Sequence, residues 1–149
     1  MGSRISGVTL TTEKENTMIT WLKAEEQHQH KNGGGWVANT ATVEDSVYIG
    51  PDAWVYGNAQ VYGDAQVLGN AWVSGDAWVS GNAQVFGDAR VFGDARVYGN
   101  AQVFGDARVY GNAQVLDDAR MYGNAQVFGD AQVFGDAQVF GDAGNEKGF

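Results

Sequence analysis

Apolar and polar residues alternate in a strict six-residue pattern over most of this chain. From Asn39 to Phe140 the unit Gly-Asn/Asp-Ala-X-Val-X repeats for 17 hexads without an insertion. Residues 33–38 fit the unit more loosely, with Val37 in the valine position. One residue separates Ala from Val in each hexad, so in an extended strand both side chains point to the same side. The pattern predicts a short strand with an apolar inner face.

Most predicted strands end at a Gly-Asn/Asp pair, and Pro51 and Asp117 are among the departures from glycine there. Glycine, asparagine and aspartate reach left-handed backbone conformations at low cost, so we expect a corner at each pair. One such strand cannot bury its apolar face alone, whereas strands stacked as successive coils can. A two-residue hairpin is disfavoured because the usual Asn-Gly order of its turn is reversed.

Three hexads per coil predict a triangular prism with 18 residues per coil. Trp36, Trp54 and Trp72 recur at spacings of 18, and Arg90 and Arg108 continue the same column. Identical side chains are expected to stack when parallel strands lie in register at about 4.8 Å. The fold predicted from this spacing is an all-β parallel β-helix of about six coils, from Gly33 to Phe140, with the valines stacked inside.

The repeat resembles the hexapeptide-repeat family, whose motif is an aliphatic residue followed four positions later by a small residue. Val61 and Ala65 show this spacing, and Ile49-Gly50-Pro51-Asp52-Ala53-Trp54 matches the usual form closely. Later hexads depart from it, since their glycine comes one position further on. The resemblance spans roughly residues 36–143 and implies a left-handed coil, an exception to the common right-handed crossover. The repeat also resembles short solenoid proteins of bacterial and prophage genomes that have no assigned activity.

The composition changes at both ends of the repeat array. Residues 1–32 are predicted to form an N-terminal cap or flexible segment, residues 33–143 the solenoid, and residues 144–149 a polar tail. In the first segment, residues 8–11 suggest a strand, and the apolar spacing suggests a short helix from Asn16 or Thr17 through Gln29. Solenoids need capped ends, and the C-terminus shows no comparable cap, so we expect an open last coil there.

Composition and net charge indicate which classes of binding partner are not expected. The chain has no cysteine, which excludes disulfides and thiolate metal sites, and its formal net charge is −9. A negative chain is not expected to bind nucleic acid or an anionic membrane. Neither an 18-residue apolar run nor a signal-peptide pattern is visible, so no membrane insertion is expected. The location stays open between the cytoplasm and a phage or extracellular assembly.

The sequence offers few candidate catalytic residues. The resemblance implies a histidine base in acyltransferases of this family and three metal-bound histidines in its carbonic anhydrases. Here His28 and His30 are the only histidines, and both precede the repeats. We therefore expect no enzyme activity, no cofactor and no metal site, with an acyltransferase using His28 or His30 as an alternative. Stacked corner carboxylates such as Asp88 and Asp106 suggest a cation site, but turn formation is the favoured explanation.

Outward aromatic residues are the main functional hint. By strand alternation they line the edges of the prism as apolar ladders, and exposed apolar surface of this size usually marks an interface. The favoured interpretation is a non-catalytic structural solenoid that self-associates as a fibre, spike or scaffold through these ladders and the open C-terminal coil. The alternative is glycan binding on the tryptophan column, while ice binding is disfavoured because the outward positions lack threonine arrays. The candidate residues are Trp36, Trp54, Trp72, Trp78, Phe86, Phe92, Phe104, Tyr110, Tyr122, Phe128, Phe134 and Phe140.

Overall fold

The computed structural model describes residues 18–141 together with a strand at residues 144–145. Its hexads form very short strands at the X-Val pair of each unit, and the alanine carbonyl and the N–H of the residue after valine also bond to adjacent coils. In chain order the strands are Gln27–Gln29 (β1), Trp36–Ala38 (β2), Thr42–Val43 (β3), Tyr48–Ile49 (β4), Trp54–Val55 (β5), Gln60–Val61 (β6), Gln66–Val67 (β7), Trp72–Val73 (β8), Trp78–Val79 (β9), Gln84–Val85 (β10), Arg90–Val91 (β11), Arg96–Val97 (β12), Gln102–Val103 (β13), Arg108–Val109 (β14), Gln114–Val115 (β15), Arg120–Met121 (β16), Gln126–Val127 (β17), Gln132–Val133 (β18), Gln138–Val139 (β19) and Gly144–Asn145 (β20).

The strands assemble into three sheets, which are the three faces of the solenoid and are parallel except where β1 joins β2. Face 1 has the order β1-β2-β5-β8-β11-β14-β17-β20, face 2 the order β3-β6-β9-β12-β15-β18, and face 3 the order β4-β7-β10-β13-β16-β19. Every third strand is a neighbour, and partners in the ladder lie 18 residues apart, as Val55 and Val73 do. The predicted parallel β-solenoid with 18 residues per coil and about six coils is confirmed.

The core consists almost entirely of the Ala and Val positions of the hexads. Between Val47 and Val133 every inner residue has no exposed surface, including Ile49 and Met121 where valine is replaced. The predicted inner column is present, because Val73 pairs with Val91, Val91 with Val109, and Val109 with Val127. Burial of these methyl groups is the main stabilising contribution, at roughly 25 cal/mol per Å² of apolar surface.

The two residues of each corner have different conformations and different roles. Fourteen corner glycines from Gly57 to Gly141 have φ between +62° and +72°, whereas the Asn or Asp that follows does not. At one corner the Ala71 N–H donates to the Leu68 carbonyl across Gly69-Asn70, at 3.2 Å. Positive φ at the first central residue alone is the pattern of a type II′ turn. The expectation that Asn and Asp also take the left-handed conformation is wrong; they extend the ladder instead, as Asn58 N–H does by donating to the Gly75 carbonyl at 2.8 Å.

The N-terminal segment differs from its prediction. Residues 18–29 contain no α-helix; a 3₁₀ turn at Ala24–Glu26 leads into β1, which pairs antiparallel with β2. The buried Gln27 side chain explains the irregular chain, because its amide nitrogen donates to the Ile19, Leu22 and Lys23 carbonyls and its oxygen accepts from the Ile19 N–H. These bonds take the backbone groups that a helix would pair internally. The strand suggested at residues 8–11 lies outside the described residues.

No helix among the described residues is long and apolar enough to cross a membrane.

Candidate functional site

Two outward columns of side chains run along each face, parallel to the solenoid axis. The strand column holds the residue before each valine, and the edge column holds the residue after it, next to the corner. Successive members of a column lie one coil apart, at about 4.8 Å. Any binding surface on the coils is therefore a periodic array and not a pocket built from distant loops.

The strand column of face 1 contains the predicted tryptophan and arginine stack. The Trp54 and Trp72 rings stack with centroids 5.2 Å apart and planes 4° from parallel. Arg90 follows them, with its guanidinium carbon 4.4 Å from the Trp72 ring centroid. Trp36 pairs with Trp54 in the ladder, and Arg90 with Arg108. The column thus passes from stacked indoles to a cation lying over an indole, which is a favourable arrangement.

The N-terminal segment covers this tryptophan column from outside. Trp21 meets Trp54 edge-on at 5.5 Å, and Ile19 is fully buried in a cluster with Trp54 and Ala38. Trp54 is only 9% exposed as a result. A sugar ring could stack on these indoles only if residues 18–22 moved away, so the tryptophans predicted as a glycan platform lie beneath the chain's own segment.

Trp78 is the exception, because it lies on face 2, away from the N-terminal segment. Its side chain is 41% exposed. Tyr62 contacts it edge-on at 5.7 Å, and the Arg96 guanidinium carbon lies 5.7 Å from its ring centroid. Trp78 is the one predicted tryptophan whose surface is largely accessible in this structure.

The edge columns of faces 1 and 3 contain the predicted aromatic ladders. On face 3, Phe86 and Phe104 stack at 4.8 Å, and the stack continues through Tyr122 at 5.3 Å to Phe140 at 5.4 Å. On face 1, Phe92, Tyr110 and Phe128 stack at 4.9 and 5.3 Å. Each ring covers part of its neighbour, so most of these side chains are half-buried, and Phe140 at the last coil is the most exposed.

A ladder on every edge was predicted, and this part of the prediction is wrong for face 2. Its edge column reads Tyr62, Ser80, Tyr98, Leu116 and Phe134, and none of these side chains stacks on the next. Phe134 follows leucine and is 49% exposed. The aromatic surface of the solenoid is therefore concentrated on two of its three edges.

Tyrosine hydroxyls tie neighbouring coils together. Tyr98, Tyr110 and Tyr122 each donate to the side-chain oxygen of the glutamine 16 residues later, at 3.2–3.3 Å. Within the strand column of face 3, Gln84 donates to Gln66 at 3.4 Å. Glutamine at these positions is thus part of an inter-coil network, a role that the sequence pattern did not reveal.

The corner columns carry a second amide network. Asn70 donates to Asp88, Asn100 to Asp118 and Asn112 to Asp130, each across one coil at 3.2–3.4 Å. Among the described residues no group of three or more His, Asp or Glu side chains is arranged to hold a metal ion. An asparagine amide between carboxylates offsets their repulsion, so the mixture of Asn and Asp has a structural explanation.

An open groove separates the corner and strand columns of face 1. Asp88, Asp106, Arg90 and Arg108 are among the residues that line it. The carboxylates lie in the corner column and the guanidiniums in the strand column, so the charge of the groove does not select an anion or a cation.

Neither histidine lies on a coil. His30 is buried, and its Nε2 is 2.8 Å from the Val47 carbonyl oxygen, so this nitrogen must carry the proton and donate. His28 Nδ1 lies 2.6 Å from Asn39 Oδ1. Both side chains hold the loop and β1 against the first coil.

Comparison with protein families matches the YdcK β-solenoid repeat at residues 59–75, 83–99, 89–103 and 101–117. No curated protein and no solved structure matches this chain. The repeat match agrees with the coils described above and supports a β-solenoid repeat protein.

Proposed function

We propose that this β-solenoid is a non-catalytic structural element that self-associates side by side through face 3. The observation that carries the proposal is the near absence of charge in the strand and edge columns of this face, together with a continuous aromatic ladder. Arg120 is the single charged residue among its described outward positions. Those positions are Tyr48, Gln66, Gln84, Gln102, Arg120 and Gln138 in the strand column, and Gly50, Leu68, Phe86, Phe104, Tyr122 and Phe140 in the edge column.

The chemistry of face 3 is that of a protein interface. Depletion of charge with enrichment of aromatic residues distinguishes the centre of an interface from ordinary surface. The face is long and regular, because its outward residues follow one another at about 4.8 Å over six coils. A contact along its whole length would bury on the order of 1,000 Å² in total, near the lower bound for specific association. We therefore expect a reversible, concentration-dependent complex.

Side-by-side contact is favoured over head-to-tail growth by the N-terminal end. There β1 already pairs with β2 along all three of its residues, so the first edge of face 1 is occupied. The loop before β2 also bonds to the first coil of face 3, since the Ile49 N–H donates to the Asn32 carbonyl at 3.0 Å. Among the described residues β18 and β19 have no strand beyond them, so the C-terminal edge stays in the proposal as a second contact.

Three glutamines in hexads that share their first five residues allow a matched test. Gln102, Gln114 and Gln126 each follow Gly-Asn-Ala and precede Val, and they lie in the strand columns of faces 3, 2 and 1. We expect Gln102→Glu to weaken association at least about tenfold, because a carboxylate would be desolvated in the contact. Sedimentation velocity from low to high micromolar concentration measures the association.

Gln114→Glu and Gln126→Glu are the controls. They add the same charge and keep an oxygen that accepts from Tyr98 and Tyr110. Both should associate like the parent chain. Equal weakening by all three changes would mean that net charge, and not face 3, controls association. A parent chain that stays monomeric over the whole concentration range would contradict the proposal.

We also propose that the coil is left-handed, that the chain belongs to the hexapeptide-repeat family and that it is not catalytic. The hand and the family rest on the resemblance of Ile49–Trp54 and the later hexads to that repeat. The absence of catalysis is supported by the near identity of the coils, since active sites usually interrupt a regular pattern. A crystal structure decides the hand, and acyl-CoA turnover that disappears in His28→Ala or His30→Ala would establish the enzymatic alternative.

A further inference from the structure

Two faces of the solenoid carry the same small aromatic notch, displaced by one hexad. On face 1 the notch, called notch 1, is made by Tyr56, Trp72 and Ser74, with Arg90 on the next coil. Six residues later Tyr62, Trp78 and Ser80, with Arg96, form notch 2 on face 2. The ring geometries agree: Tyr56 and Trp72 meet at 6.2 Å and 72°, and Tyr62 and Trp78 meet at 5.7 Å and 64°.

Serine opens both notches. Ser74 and Ser80 occupy edge-column positions that carry a phenylalanine, tyrosine or leucine in every later hexad through Phe140. The small side chain removes the ring that would otherwise fill the space beside the tryptophan. Both notches are therefore positions where serine stands in place of a large edge residue, and both lie in the same coil.

Notch 1 is filled by the chain itself. The Trp21 ring lies edge-on to Tyr56 at 4.9 Å and to Trp72 at 6.4 Å. Ile19 and Leu22 belong to the same apolar cluster. The structure thus shows what this arrangement of residues binds: a segment with tryptophan in a tight turn between aliphatic residues, closed by the Leu22 N–H donating to the Ile19 carbonyl at 3.2 Å.

Notch 2 keeps an accessible indole. Trp78 is 41% exposed, and its described ring contacts, with Tyr62 and Arg96, come from the coils. Two of the residues around notch 2 differ from their counterparts around notch 1. Gln60 replaces Trp54 on the preceding coil, and the exposed Glu44 replaces the buried Ala38. Notch 2 is therefore more polar. Its Glu44 carboxylate accepts from the Gly63 N–H through Oε1 at 2.7 Å, and its negative charge complements a basic residue.

We propose that notch 2 is a docking site for a turn-forming peptide segment of another protein. The segment carries tryptophan between aliphatic residues and a lysine or arginine close by. Its tryptophan meets Trp78 and Tyr62 as Trp21 meets Trp72 and Tyr56, and its basic group faces Glu44. This chain's own segment is not the expected occupant, because Gln27 and the buried Ile19 hold it on face 1. The site is separate from face 3 and does not depend on lateral association.

The test uses the full chain and a blocked synthetic peptide of sequence Met-Ile-Thr-Trp-Leu-Lys, copied from residues 18–23. Titration calorimetry should show saturable binding to the parent. Trp78→Ala should lower the affinity at least about tenfold, as expected for removal of a central aromatic contact. A peptide with alanine in place of its tryptophan should lose binding to the same extent, and one with glutamate in place of lysine should bind more weakly.

Ser80→Phe is the second protein variant, and it adds a side chain to the notch where Trp78→Ala removes one. It restores the aromatic edge residue of the neighbouring hexads, so we expect it to fold and to block the notch. Phe134→Ala, which removes an exposed ring further along face 2, is the control and should bind like the parent. Circular dichroism checks that all variants fold.

Four results would overturn the proposal. One is the absence of peptide binding up to millimolar concentration. Another is binding that persists in Trp78→Ala and Ser80→Phe, which would place the peptide at notch 1. The third is a soluble glycan that quenches the fluorescence of the parent but not of Trp78→Ala while the peptide does not bind. If Ser80→Phe instead abolished self-association, the occupant would be a second copy and not another protein.

Discussion

At the scale of single residues, the first corner position requires a left-handed backbone in a crowded place. Gly87 has φ +70°, and a Cβ built on it would lie 3.0 Å from the nitrogen of Gly105 on the next coil. We therefore expect Gly87→Ala to lower the free energy of unfolding by about 1–2 kcal/mol, the cost of a left-handed conformation for a residue with a Cβ. Urea denaturation measures it.

Asp117 is the natural comparison for this prediction. It occupies the glycine position with φ +59°, and its Oδ2 accepts a hydrogen bond from the Gly135 N–H at 3.0 Å. Asp117→Gly removes the cost of a left-handed backbone at a residue with a Cβ, but it also removes the hydrogen bond to the Gly135 N–H. The two effects should offset each other, so the free energy of unfolding should change by less than about 1 kcal/mol. A Gly87→Ala variant as stable as the parent would show that the corner tolerates a Cβ and that glycine has another role there.

At the scale of elements, the corner columns limit how many carboxylates can stack. The asparagines at 82, 100 and 112 occupy the same corner position in their hexads. Replacing one by aspartate creates a run of two stacked carboxylates at position 82, three at 100 and four at 112. We expect Asn112→Asp to be the most destabilising, because it gains a carboxylate neighbour on both sides, at roughly 0.2–1 kcal/mol for each new like-charge neighbour. Asn100→Asp and Asn82→Asp gain one such neighbour each, and Asn100→Asp should cost more because it also loses the hydrogen bond to Asp118.

Thermal melts at low and high salt check this order. Exposed charges are screened within about 3 Å at 1 M salt, so the three variants should converge there. Stabilisation of Asn112→Asp by calcium, but not by an equal ionic strength of sodium, would instead show that the longest carboxylate run holds a cation.

At the scale of the whole molecule, each coil touches only its neighbours, so stability should be close to a sum over coils. Deleting one coil, residues 87–104, joins partners of the same kind: Phe86 would stack on Tyr122, and Trp72 would meet Arg108. We expect a folded, shorter protein. Deleting one hexad, residues 87–92, keeps the inner pattern but moves all later residues to the next face, with a larger loss of thermal stability.

Deleting three residues, 87–89, should be the most damaging of the three changes. It would place corner residues in strands and polar residues in the core, where unpaired polar groups cost several kcal/mol. Melting temperatures should therefore fall in the order coil, hexad, triplet. A triplet deletion that melts like the parent would contradict the six-residue repeat as the structural unit.

The repeat made the coils predictable, because every hexad presents the same local choice. Alternation of Ala and Val decides which side chains are inside, and the 18-residue spacing of Trp36, Trp54 and Trp72 decides how many hexads close a coil. Parallel in-register stacking then follows for all columns at once. Hence the core, the number of coils and the tryptophan column could be predicted from the sequence.

Surface accessibility could not be predicted in this way, because it depends on a segment outside the repeat. Residues 18–29 were expected to be helical, yet the Gln27 side chain takes their backbone groups and β1 pairs with the free edge of β2. That pairing lays Trp21 over Trp54 and leaves Trp78 accessible one face away. The sequence by itself thus determined the solenoid, since its information is local and repeated 17 times. Only the tertiary structure decided which aromatic residues are covered, because that contact joins a unique segment to a coil through long-range packing.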